Sequence, residues 1–239
     1  MKFPVFDNRL IKIYTAILHT MEPLLFSIPS LLEGTALKGP LLGLLGIYRR
    51  IDEAQRQWIT ASPFRCPSGC GECCRTFEPA ILEVEALLLA SWIVCSGTVL
   101  HPYPADRTGC VYHNASSAYQ CPVYPARPLI CRLFAFSGDR GKNNIIRYKP
   151  CKYMQQVEHR TMEEPELQWR YHTLPPVMAD LAREADFLLP DSAGDTIPLR
   201  EALPPALDKI RFLLHLRGYT ASGLPKDPDD DAPLFPQVS

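Results

Sequence analysis

Leu10, Ile13, Tyr14, Ile17, Leu18 and Met21 recur at steps of three and four, the spacing of one helical face, and predict a helix over 9–22 that Pro23 closes. A second stripe, built from Leu41, Leu42, Leu44, Leu45, Ile47, Tyr48 and Ile51, predicts a helix over 40–61 with its polar side after Arg49. Glu78 and Pro79 suit a helix start, and Ile81, Leu82, Val84, Leu88, Leu89 and Trp92 give that helix a buried face as far as Val94. Between 110 and 148 the pattern shortens. Two β segments are expected at 110–112 and 119–124 around a polar tip at 114–117. A second hairpin is expected from 133–136 and 145–148, returning Cys151 towards Cys131. Beyond Lys152, proline pairs punctuate helices: Pro175-Pro176 opens one that runs to Phe187. Pro204-Pro205 opens another, in which Leu207, Ile210, Leu213 and Leu214 share a face and Gly218 is the stop.

The fold class expected from this pattern is α+β, mainly α: a small cysteine-rich core with short β hairpins, flanked by helices on both sides. The expected segments are 1–62 (helical, packed on the core), 63–152 (cysteine cluster), 153–223 (helical) and 224–239, a mobile tail containing Asp229-Asp230-Asp231.

Composition narrows the picture. A chain of 239 residues can bury a real core in one or two domains. A net charge of −1 argues against a nucleic-acid partner, which would call for a basic surplus. The 24 prolines favour short elements joined by rigid turns. Residues 3–9 lack the continuous apolar core of a secretory leader, and Pro29, Glu33, Lys38 and Pro40 interrupt the apolar stretch 24–48, so no transmembrane segment is expected. Packing of that stretch as a helical layer is preferred to membrane-surface contact because its basic content is low. The expected compartment is a reducing, cytoplasmic one, where clustered cysteines are read as metal sites before disulfides.

The candidate chemistry is in the cysteines. Cys66-Pro67-Ser68-Gly69-Cys70-Gly71-Glu72-Cys73-Cys74 places four thiols within nine positions, and Gly69 and Gly71 let the backbone bend tightly around Cys70. Thiolates are strong ligands for zinc and for iron–sulfur clusters, whereas neighbours such as Cys73 and Cys74 bridge only with strain. Cys110, Cys121, Cys131 and Cys151 follow singly, beside turn-forming or β-favouring residues. Cys95, in the apolar run after Leu87, reads as a core residue. The helix expected after Cys74 would aim its first amides at the anionic site. Of the six histidines, only His113 lies close to a cysteine, and none has two-histidine metal spacing.

Several blocks carry a family resemblance: Cys70-Gly71-Glu72-Cys73-Cys74, Gly109-Cys110-Val111-Tyr112, Cys121-Pro122-Val123-Tyr124-Pro125-Ala126-Arg127-Pro128-Leu129-Ile130-Cys131-Arg132 and Pro150-Cys151. Over residues 63–152 the chain resembles the CxxCxxCC family of zinc- or iron-chelating cysteine-cluster proteins. Val123 stands where isoleucine is usual, and the first gap, Cys66 to Cys70, is one residue longer than the family's. The resemblance implies a metal cofactor, iron–sulfur slightly ahead of zinc, because a similar cluster in flagellin lysine methylases is associated with an iron–sulfur centre.

The expected ligands are Cys66, Cys70, Cys73, Cys74, Cys110, Cys121, Cys131 and Cys151, with Arg127 and Arg132 offsetting thiolate charge from just behind them. A purely structural job for Arg127, fixing the 124–128 turn, is an equal alternative. Phosphate-binding glycine loops, nucleophile elbows and dinucleotide fingerprints are not visible. Three functions therefore stay open: a metal-binding protein with a structural or redox centre, a cluster-dependent enzyme such as a protein lysine methylase-like transferase, and a disulfide-stabilised domain. Eight thiols allow one centre or two.

Overall fold

The structure, a computed structural model, describes residues 24–67, 69–99, 108–117, 120–189 and 194–219. The helix expected over 9–22 and the tail after 224 lie outside the described residues. The architecture is α+β, mainly α, with a few short antiparallel strands.

A short helical stretch over 24–31 leads into α1 (Lys38–Ala61), whose Leu41, Leu44, Leu45, Tyr48 and Ile51 face inward as the periodicity predicts. The next long helix, α3 (Glu83–Ser96), is buried on every side from Val84 to Val94, the mark of a central helix. It starts later than expected. Ala80–Leu82 instead forms β1, which pairs antiparallel with β5 (Thr196–Pro198) through Ile81↔Ile197. The alternating apolar run 80–82 serves a strand as readily as a first helical turn, and the distant partner segment decides.

Chain residues far apart in sequence meet in the main core. Helix α7 (Leu199–Leu216) lies against α3 and buries Leu199, Leu203, Ala206, Ile210 and Leu214. It also begins ahead of its prolines, because Leu199 N–H donates to Pro79 O (2.9 Å) and Arg200 N–H to Glu78 Oε1 (3.0 Å), fixing the start at the β1–β5 pair. Arg217 ends the helix, and Gly218, at φ 78°, reverses the chain where the stop was placed.

The cysteine-rich part contains less strand than the pattern suggests. Residues 110–112 and 120–124 are turns, closed by Asn114 N–H on Gln120 O (2.9 Å); the prolines and glycine there favour turns over ladder pairing. The second hairpin exists with a shifted first strand: β2 (Asp139–Arg140) pairs with β3 (Ile146–Tyr148), and β3 with β4 (Met162–Glu163). Residues expected in that first strand start inside helix α4 (Leu129–Leu133), which Pro128 opens. Two further helices complete the chain, α5 (Glu164–Tyr171) and α6 (Met178–Asp186), the latter following Pro175-Pro176 as anticipated.

A second, smaller core forms beside the first from Trp58, Phe64, Tyr148, Met154, Met162 and Leu167. Trp58 and Phe64 stack at 5.5 Å, and Tyr148 meets Phe64 at 4.8 Å. This aromatic cluster ties the end of α1 to β3, and a cysteine follows shortly after each strand of that tie.

Candidate metal centre

Cys66 lies two residues beyond Phe64 and Cys151 three beyond Tyr148, so the aromatic core carries these two cysteines to the same place. Between Cys66 and Cys70, a turn closed by Cys70 N–H on Pro67 O (3.1 Å) uses Gly69 at φ 67°, a conformation that suits glycine. The chain then enters the short helix α2 (Glu72–Thr76), which carries Cys73 and Cys74.

Cys110 docks directly onto this helix. Its N–H donates to Cys74 O at 2.8 Å, and Gly109, at φ 81°, passes so close to the Arg75 carbonyl that a Cβ there would collide with it. Farther along, Cys121 starts the turn over 121–126 and Cys131 sits in α4, between Leu129 and Leu133 of the main core. Cys74 and Cys121 pack against that same core, while Cys151 packs against the aromatic one. None of the nine cysteines is joined in a disulfide in this structure.

The thiols sense one another. Burial pushes Cys66 up to about 12, with Cys70, Cys151 and Cys73 adding in that order; the residue as a whole is exposed, yet protein surrounds its thiol. The Cys73 and Cys74 sulfurs are 3.9 Å apart and share a hydrogen bond, which draws Cys73 down to about 7 and holds Cys74 up, with burial and charge on Cys73, Cys110 and Cys131 raising Cys74 further. Burial likewise raises Cys121 to about 11 and keeps Cys131 well above the ordinary thiol range; Cys110 adds to both, and Cys131 also feels Cys121. Cys151 lies within electrostatic reach of Cys66, and the aromatic core joins β3 to the start of the cysteine loop.

No three His, Cys, Asp or Glu side chains among the described residues stand in a finished ligating arrangement. The donor set fits a metal on chemical grounds: thiols without disulfide partners, several of them desolvated, within mutual electrostatic reach.

The two arginines divide the work. Arg127 donates from Nη1 to Tyr124 O (3.1 Å), lies over the Tyr124 ring at 3.9 Å, and its charge lowers both Cys121 and Cys131. It therefore fixes the turn and faces the thiols. Arg132 is buried and committed to the scaffold: its guanidinium pairs with Asp52 at 3.1 Å and bonds the Pro125 and Arg127 carbonyls. It shapes the segment between Cys121 and Cys131 from behind.

Cys95 packs against the main core, as a core thiol should; burial alone pushes it up to about 11. His113 shares a hydrogen bond with Gln120 Oε1 at 2.7 Å. The expected amides of the helix after Cys74 do not play the anticipated part, because α3 starts at Glu83 and Leu82 N–H is taken by Glu85 Oε2 (3.0 Å).

Glu85 is the residue the sequence reading missed. Its buried carboxylate also accepts from Leu129 N–H (2.5 Å) and Tyr48 Oη (3.4 Å), so it holds α4, and with it Cys131, against α1 and α3. An acid in an otherwise apolar helix face was the available signal.

Residues 65–167 match the model of the CxxCxxCC family, described as "Putative zinc- or iron-chelating domain". Over these residues the chain is similar to that family. The match extends past Cys151 through β4 into α5, and so takes in Met162 and Leu167, which complete the aromatic core behind Cys66 and Cys151. No curated protein and no solved structure matches the chain.

Proposed function

We propose that this protein binds metal through Cys66, Cys70, Cys73, Cys74, Cys110, Cys121, Cys131 and Cys151, and that the bound centre serves a structural or electron-transfer role. The observation that carries the reading is the approach of the 66–74 segment to later cysteine-bearing segments: Cys110 N–H donates to Cys74 O at 2.8 Å, and Phe64 and Tyr148, shortly before Cys66 and Cys151, meet at 4.8 Å.

An iron–sulfur centre is preferred to zinc because of the cysteine-cluster resemblance. Bound there, such a centre supplies one-electron redox chemistry, whereas zinc supplies cross-linking alone. The chain's own contributions are clear: Gly109 allows close approach of the Arg75 carbonyl and Gly71 that of the Gln120 side chain, Glu85 and Arg132 hold α4 and the 121–128 turn, and Arg127 places positive charge beside Cys121 and Cys131. A buried thiolate cluster carries net negative charge, and a nearby guanidinium offsets the cost of desolvating it.

Anaerobic purification followed by metal and acid-labile sulfide analysis tests this function. Brown protein with stoichiometric iron and sulfide is expected; colourless protein with bound zinc would retain the metal reading and replace the cofactor. Metal-free protein that takes up neither iron nor zinc would contradict it.

A further inference from the structure

Tyr48, Asp52 and Gln55 stand on one side of α1 at steps of four and three, and all three reach one residue of α4. That residue is Arg132. Its guanidinium lies over the Tyr48 ring at 4.0 Å and donates from Nη1 to both Asp52 carboxylate oxygens, at 3.1 and 3.2 Å, while Gln55 Nε2 donates to its carbonyl at 2.5 Å. The remaining donors turn the other way: Nε reaches Arg127 O at 3.1 Å, and Nη2 reaches Pro125 O. Arginine suits this place because its planar fork carries donors in fixed directions, which the single ammonium of lysine lacks.

We propose that the Tyr48, Asp52 and Gln55 face of α1 is a clasp, with Asp52 as the positioning residue that sets the segment from Cys121 to Cys131 in place for the metal centre. This inference rests on the metal-binding reading above and deepens it, because it assigns part of the centre's support to a helix outside residues 65–167. Pro125 and Arg127 lie between Cys121 and Cys131, and Arg132 is next to Cys131, so a single side chain spans the segment. Helix α1 holds that side chain. The Arg132 side chain is only 2% exposed, and a buried cation needs a partner charge; Asp52, 24% exposed, supplies it. Removing the Asp52 charge strands the guanidinium in the interior, and the two carbonyls that it holds are then released with it.

The test is an anaerobic titration of the reduced, metal-free, full-length protein with cobalt(II), whose visible absorption reports the thiolates around the ion and gives the affinity as it grows. Asp52→Asn should bind cobalt about tenfold more weakly, with altered bands. In the loaded variant, alkylation should reach Cys121 and Cys131 before Cys66 and Cys70. Asp52→Glu, which keeps the charge, should recover most of the lost affinity. Leu214→Ala, on the buried face of α7 and outside the clasp, is the control: it should lower the urea midpoint yet keep the wild-type affinity and spectrum where it is folded. If Asp52→Asn does not fold, Gln55→Ala removes one hydrogen bond and no charge, and should show the same changes at a smaller loss of affinity. Wild-type affinity and spectrum in the folded clasp variant, or an equal loss in Leu214→Ala, would overturn the clasp and leave the metal reading standing. No cobalt uptake by the wild type, with no iron or zinc in freshly purified protein, would overturn both.

Discussion

Glu85 shows how one side chain can govern a site it does not enter. Its carboxylate receives two backbone N–H groups and approaches the Tyr48 hydroxyl, all in the interior. Truncation leaves buried donors unmatched, at about 1–3 kcal/mol for each, so Glu85→Ala should lose at least about 3 kcal/mol in a urea unfolding experiment. Burial holds the Glu85 carboxyl above the usual glutamate range, against the pull of Leu129 and Leu82 N–H. A carboxyl raised in the folded state contributes stability that is fully present below the unfolded value and is lost as pH rises through the folded one. The stability gap between the wild type and Glu85→Gln should therefore narrow with rising pH across that window. A gap that widens would contradict the assignment. Gly109 makes a similar point in the backbone: Gly109→Ala faces both a positive φ and the Arg75 carbonyl, and should cost more than about 1 kcal/mol while weakening metal retention. At this scale the sequence was most readable where chemistry is written in residue type. The cysteines announced themselves, and Cys95 was separable from them by its apolar setting. Glu85 and Arg132 were harder because their partners, Leu129 and Asp52, lie far away in the chain.

Among the elements, α1, α3 and α7 follow from their periodic apolar faces, while the short pieces between them do not. Strand β1 exists because residues 196–198 lie beside it, and α4 because Glu85 accepts from its first N–H group. Neither partner is local, so the pattern within 80–82 or 129–133 could not select the conformation. The aromatic tie between α1 and β3 is the element-level device that brings Cys66 to Cys151. Phe64→Ala should remove its stacking partners at a cost of about 3–5 kcal/mol. If the tie positions Cys66 and Cys151, the variant should also hold metal less tightly than the wild type. Full metal retention in a folded Phe64→Ala protein would show that the tie is dispensable.

For the whole molecule, helices from before and after the cysteine-rich region build one main core, and the segment that matches the CxxCxxCC family model is set into that frame. Leu25 and Ile28 near one end of the described chain and Ile210 and Leu214 near the other share this core with Cys110 and Val111. No described helix is long and apolar enough to cross a membrane. Metal binding should therefore be coupled to global stability, since the proposed ligands, drawn from 66 to 151, would cross-link segments that both cores hold. The thermal midpoint should fall on chelation in the reduced protein, and a midpoint indifferent to chelation would place the centre outside the fold's energetics.

The central claim is that sulfur from this chain surrounds a bound metal. X-ray absorption at the metal edge of anaerobically purified protein reads it most directly. The account predicts a first coordination shell made of sulfur, at about 2.3 Å if the metal is zinc. A first shell dominated by nitrogen or oxygen would contradict it.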